Sequence, residues 1–135
     1  MPDVRALNSE KYGISRHRFA EIYHFCMQYR EWKDELRRKT DTLGGNNFSG
    51  MPKAGGISDP TAELAVKRAE LRRKCELVEK TAEDADPQLS RYILKAVTTE
   101  GISYNYLKMV MNIPCGKNMY YDRRRKFYRL MDGRI

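Results

Sequence analysis

Ile113-Pro-Cys-Gly-Lys-Asn-Met-Tyr-Tyr-Asp-Arg-Arg-Arg-Lys-Phe-Tyr-Arg-Leu-Met131 is the stretch whose reading decides the fold. Pro114 bars any helix arriving from upstream, because proline has no N–H to give and its ring clashes with the preceding turn. Cys115 or Gly116 can start a new helix, and from Lys117 to Met131 nothing interrupts it. At about 100° per residue, Lys117, Tyr121, Arg124, Arg125 and Tyr128 share one face, with Met119, Phe127 and Leu130 roughly opposite and Tyr120 and Met131 at the border. The segment therefore has an apolar side to bury and a basic, aromatic side left over. That layout suits a helix that docks on its own domain and turns its other face to a polyanion.

Working outward, the preceding residues read as a second helix. Ser103 is an N-cap, and Tyr104 to Met111 carries Leu107, Val110 and Met111 at helical spacing. Asn112-Ile113-Pro114 then forces a turn of about three residues. Asn112 falls where the first helix of a helix-turn-helix ends in a left-handed residue, which Asn tolerates well, and Ile113 is the apolar plug of the turn. Further upstream, Leu89, Ile93, Leu94 and Val97 mark a third helix after Pro87, ended by Gly101. Residues 87–131 thus read as a tri-helical unit whose last helix enters a major groove.

Charge points to the same region. The chain of 135 residues carries a formal net charge of +8, unevenly spread. Residues 1–60 hold 10 basic and 8 acidic side chains, residues 61–86 hold 6 and 7, and residues 87–135 hold 10 and 3, so nearly all the excess rides on the tri-helical unit. An anionic partner is to be sought there.

No apolar run approaches the about 18 residues of a membrane span, and the N-terminus has no signal-peptide pattern, so a soluble cytoplasmic protein without a membrane partner is expected. Cys26, Cys75 and Cys115 are an odd number of cysteines on three predicted helices, which fits reduced thiols. His17 and His24 are available, but no Cys-x-x-Cys or His-x-x-x-His pair exists, so neither metal nor cofactor is expected. Paired carboxylates, a Ser/His/Asp set and Cys/His spacing are all lacking. Cys115 at a helix start is the one conceivable activated nucleophile, and it reads better as a small turn residue. The expectation is a protein that is not an enzyme.

Taken in order, residues 1–39 read as an N-terminal arm and a helix. Ser15 is its N-cap, Ile14 staples onto Phe19, and Phe19, Ile22, Tyr23, Cys26 and Met27 form the apolar stripe, with His24 off its centre. A break falls near Tyr29 and Arg30, after which Trp32 and Leu36 continue the helix to Arg38. Residues 40–58, rich in Gly, Asn, Ser and Pro, read as a flexible Gly-rich loop. They lack the Gly-Lys-Ser/Thr ending of a phosphate-binding loop, although Phe48, Met51 and Lys53 are candidates for touching a partner. Asp59-Pro60 opens a long helix over 59–86, with Leu64, Leu71, Cys75, Val78 and Ala82 as a coiled-coil-like seam. It packs against Phe19 to Leu36 as an antiparallel hairpin, or dimerises. Residues 87–135 form the helix-turn-helix unit. Gly-Ile-Ser occurs at 13, 56 and 101, each time before a helix, and reads as a recurring capping signal. The fold class is all-α: a long helical hairpin plus a C-terminal tri-helical unit.

Lys11-Tyr-Gly-Ile-Ser, Glu31-Trp32-Lys33, Met51-Pro…Gly56-Ile-Ser-Asp-Pro-Thr61, Gly101-Ile-Ser-Tyr-Asn-Tyr-Leu and Ile113-Pro-Cys-Gly…Tyr120-Tyr-Asp-Arg-Arg-Arg-Lys-Phe together resemble a family of small uncharacterised prophage proteins of Gram-positive bacteria. The resemblance covers most of the chain. On Tyr120, Tyr121, Arg124 and Arg125, the C-terminal part is similar to region 4 of sigma factors and to phage late transcription regulators of the RinA and ArpU kind. The resemblance implies a phage transcription regulator in the bacterial host cytoplasm.

From the residues themselves, Lys117, Arg124, Arg125 and Arg129 are candidates for phosphate contacts on double-stranded DNA. Asn118 and Tyr121, with Arg124 or Arg125, are candidates for base readout; Tyr128 shares their face, and Lys108 and Tyr104 clamp the backbone. Three functions fit: a transcription regulator, monomer or homodimer, that also meets RNA polymerase or another protein; a small-terminase-like DNA-packaging accessory; and an inhibitor binding an acidic host or defence protein through the basic face.

Overall fold

Two Gly-Ile-Ser segments set the starts of two helices by the same local device. Gly13 and Gly101 lie at φ 75° and 77°, left-handed conformations that cost glycine little. Two residues on, the hydroxyl oxygens of Ser15 and Ser103 accept from the N–H of Arg18 and Tyr106, each at 3.1 Å, satisfying an amide that the first turn leaves open. Between them, Ile14 is buried and Ile102 partly so. The third Gly-Ile-Ser, at 56, and the N-terminal arm lie outside the described residues: the computed structural model describes 13–46 and 60–135.

Six helices run through these residues, and no strand is present among them. They are α1 (Arg16–Met27), α2 (Tyr29–Asn46), α3 (Pro60–Ala85), α4 (Ser90–Thr98), α5 (Tyr104–Met109) and α6 (Lys117–Asp132). The all-α reading stands. The predicted break near Tyr29 falls at Gln28, whose backbone stays close to helical, so α1 and α2 follow each other almost directly. Helix α2 runs on to Asn46, so the first residues of the expected 40–58 loop are helical.

The hairpin forms with different partners from those expected. Helix α2 is the half that packs along α3, whereas α1 turns to α6 and α4. Trp32 carries Lys74 over its ring at 5.3 Å, the Tyr29 hydroxyl donates to Glu79, and Arg68 donates to the Leu36 carbonyl at 3.1 Å. The seam of α3 is buried only toward its C-terminal half, at Cys75, Val78, Ala82 and Ala85, while Leu64 and Leu71 are partly covered.

Helix α6 is held from several sides. It packs chiefly on α3, then on α1, and less on α4. One continuous apolar cluster joins Phe19, Ile22 and Tyr23 of α1, Val78 and Ala82 of α3, Ile93 and Val97 of α4, Leu107 of α5, and Tyr120, Phe127, Tyr128 and Met131 of α6. Polar clamps hold its two ends. Arg18 of α1 donates to Asp132 at 2.7 Å, Arg134 to Thr81 and Asp84 at 2.9 Å each, and Arg123 to Asp86 at 3.0 Å.

Candidate nucleic-acid interface

The corner between α5 and α6 is built largely as its residues dictate. Asn112 sits at φ 58°, the sole non-glycine residue at positive φ among those described, and Ile113 is buried. The Ile113 N–H donates to the Leu107 carbonyl at 3.0 Å, and the Tyr104 hydroxyl reaches across to the Cys115 carbonyl at 2.7 Å. Helix α5 ends at Met109 and not at Met111, so the connection runs from Val110 to Gly116 and is longer than the three residues expected. Val110, read as a packing residue, is exposed. Its backbone is still in the helical region, at φ −99° and ψ −41°, and its N–H donates to the Tyr106 carbonyl at 2.8 Å.

Helix α6 begins after Gly116, which contributes no side-chain cap. No side chain at the cap satisfies its first-turn N–H groups, and this end of a helix favours anions. Lys117 and Asn118 stand exposed there, Lys108 is exposed on α5, and Arg129 is exposed about three turns further along.

The predicted face of α6 is mis-phased by about a quarter turn. The buried set is Tyr120, Phe127, Tyr128 and Met131, whereas Met119, expected inside, is 42% exposed. Tyr128, a candidate DNA contact, is 2% exposed and cannot reach a groove; its ring meets Phe19 at 4.8 Å. A phenol is mostly ring, and its apolar area outweighs one hydroxyl when a large core gap must be filled. Tyr104 and Tyr121 are half-buried. The outward face that remains carries Asn118, Asp122 and Arg129, with Arg125 and Lys126 half-exposed at its margins.

The arginine run divides into separate roles. Arg123 is committed to Asp86 and Asp122, and these carboxylates raise its pKa. Arg124 lays its guanidinium over the Tyr121 ring at 5.0 Å and the Tyr120 ring at 6.0 Å, so part of it serves packing. Tyr120 is fully buried, and its hydroxyl meets no hydrogen-bond partner of good geometry. Burial raises that phenol's pKa, with Arg124 pulling the other way. Cys115 is likewise pushed up, by burial first and then by Asp86, the reverse of what an activated thiolate requires.

The sequence reading missed Arg18, Asp86, Asp132 and Arg134, whose partners lie 37 to 114 residues away. No local pattern marks such pairs. Exposed Met109 at the end of α5 was also passed over. Among the described residues no three His, Cys, Asp or Glu side chains gather as a metal site would need, and no helix is long and apolar enough to cross a membrane. Neither a family model, nor a curated protein, nor a solved structure matches the chain.

Proposed function

We propose that the chain is a DNA-binding transcription regulator of the phage kind, which brings the α5–turn–α6 corner to the major groove of double-stranded DNA. The observation that carries this reading is the uncapped first turn of α6, where Lys117 and Asn118 stand in solvent behind a turn made by Asn112 and Ile113. Lys108, Lys117 and Arg129 are the phosphate contacts, with Arg125 and Lys126 at the edge of the same face, and Asn118 is the base reader. Tyr128 drops out, and Arg124 and Tyr121 act mainly by shaping the corner.

The test is binding of the full chain to duplexes selected from a random pool, followed by fluorescence anisotropy across a salt series. Lys117→Ala plus Arg129→Ala removes two exposed cations, so the fold is kept. Affinity should fall about equally for all sequences, and the salt slope should shrink by about two. Equal binding by wild type and double variant rejects the assignment.

A second reading draws on the α2–α3 pair. From 61 to 74 no residue of α3 is fully buried, which suits an assembly arm and a DNA-packaging accessory. Light scattering separates the two: a ring of many copies supports packaging, and a monomer or dimer supports regulation.

A further inference from the structure

Five large apolar side chains are exposed among the described residues: Val66, Met109, Val110, Met119 and Ile135. Three of them lie at the two helix ends that the Val110–Gly116 connection joins. Met109 is 82% exposed, Val110 63% and Met119 42%. Large apolar side chains left in solvent at two successive helix ends are candidates for contact with a partner. Lys108 and Lys117, both exposed, stand next in sequence to Met109 and Asn118, so a fitting partner is anionic at its rim and apolar at a few points within. The major groove of DNA has that layout. Phosphates line it, and the one apolar group on its floor is the thymine C5-methyl. Methionine suits such a contact, being unbranched, polarisable and able to adapt to a small target.

Asn118 adds the complementary half. Its carboxamide is exposed in the first turn of α6, beside Met119, and a carboxamide pairs in bidentate fashion with N6 and N7 of adenine. We infer, building on the DNA-binding reading above, that this corner recognises A·T base pairs. Asn118 takes the adenine edge, and Met119, the next residue of α6, takes the thymine methyl, with exposed Met109 at the end of α5 as the second candidate for such a contact. The preference is then for A·T over G·C, and also for thymine over uracil at the same position.

Replacing thymine by uracil in a selected duplex deletes only the methyl groups and leaves every hydrogen-bonding edge intact. Wild-type full-length chain should lose about fourfold in affinity for each contacted methyl, the factor expected for one buried carbon group. Met119→Ala plus Met109→Ala should bind the two duplexes almost equally while remaining folded, because both side chains are exposed in the wild type. Equal wild-type affinity for thymine and uracil duplexes, with clear binding to both, overturns the methyl reading and leaves DNA binding standing. A thymine preference that persists unchanged in the double variant also overturns it, since the methyl reader must then lie elsewhere. Failure to bind either duplex overturns the DNA-binding reading itself.

Discussion

Phe19 on α1 meets Tyr128 on α6 edge to face, with ring centroids 4.8 Å apart and planes at 64°. This contact turns the C-terminal helix, because it places on the core side a residue that patterning alone puts on the basic side. Removing the ring opens a cavity between α1 and α6. Tyr128→Ala should cost about 3–5 kcal/mol of stability, read from urea denaturation followed by circular dichroism. Arg129→Ala, one residue on and exposed, should stay within about 0.5 kcal/mol. Comparable losses for the two would place the buried face elsewhere.

Asn112, at φ 58°, holds the turn open in a conformation that most side chains resist. Asn112→Gly should leave stability within a few tenths of a kcal/mol, and Asn112→Val should cost about 1–2 kcal/mol from the left-handed backbone alone. Differential scanning calorimetry on both variants checks this. A valine variant as stable as the glycine one would mean that the turn relaxes to another geometry.

Tyr120 buries a hydroxyl with no well-placed partner. A buried polar group left unpaired is a net cost, so Tyr120→Phe should be as stable as wild type or more so, by up to about 1 kcal/mol. A clear loss of stability in the phenylalanine variant would show that the hydroxyl is bonded in solution.

Cys26, Tyr29 and Tyr128 are each pushed well above their ordinary pKa values, in every case chiefly by burial. The neutral, protonated form is therefore favoured in the folded chain. Once the pH passes the unfolded values, about 8.5 for cysteine and about 10 for tyrosine, the unfolded chain releases protons that the folded chain keeps. The stability from these groups is complete below about pH 8.5 and declines as pH rises further. Urea midpoints measured from pH 7 to 11 should fall steadily beyond pH 9. A flat profile over that range would contradict the burial of all three.

Several features were legible because they are local. Ser15 and Ser103 as caps, the left-handed Asn112, the plug at Ile113, the stripe of Phe19, Ile22, Tyr23 and Cys26, and the seam of Cys75, Val78 and Ala82 depend on neighbours within one or two turns. Backbone sterics and helical periodicity act over that distance. The candidate interface was legible in part for the same reason. Lys117, Asn118 and Lys108 follow from the turn, whereas the rotation of α6 about its own axis does not.

What the amino-acid order determines by itself is an all-helical chain with its basic excess in residues 87–135 and a sharp corner before Lys117. Which helix lies against which, and therefore which arc of α6 faces water, was decided only when α1, α3 and α4 closed around it. The reason is energetic. Tyrosine and arginine are each part apolar and part polar, so a helix rich in them has more than one arc that can be buried at similar cost. The choice falls to contacts such as Phe19 with Tyr128 and Arg123 with Asp86, made between residues far apart in the chain.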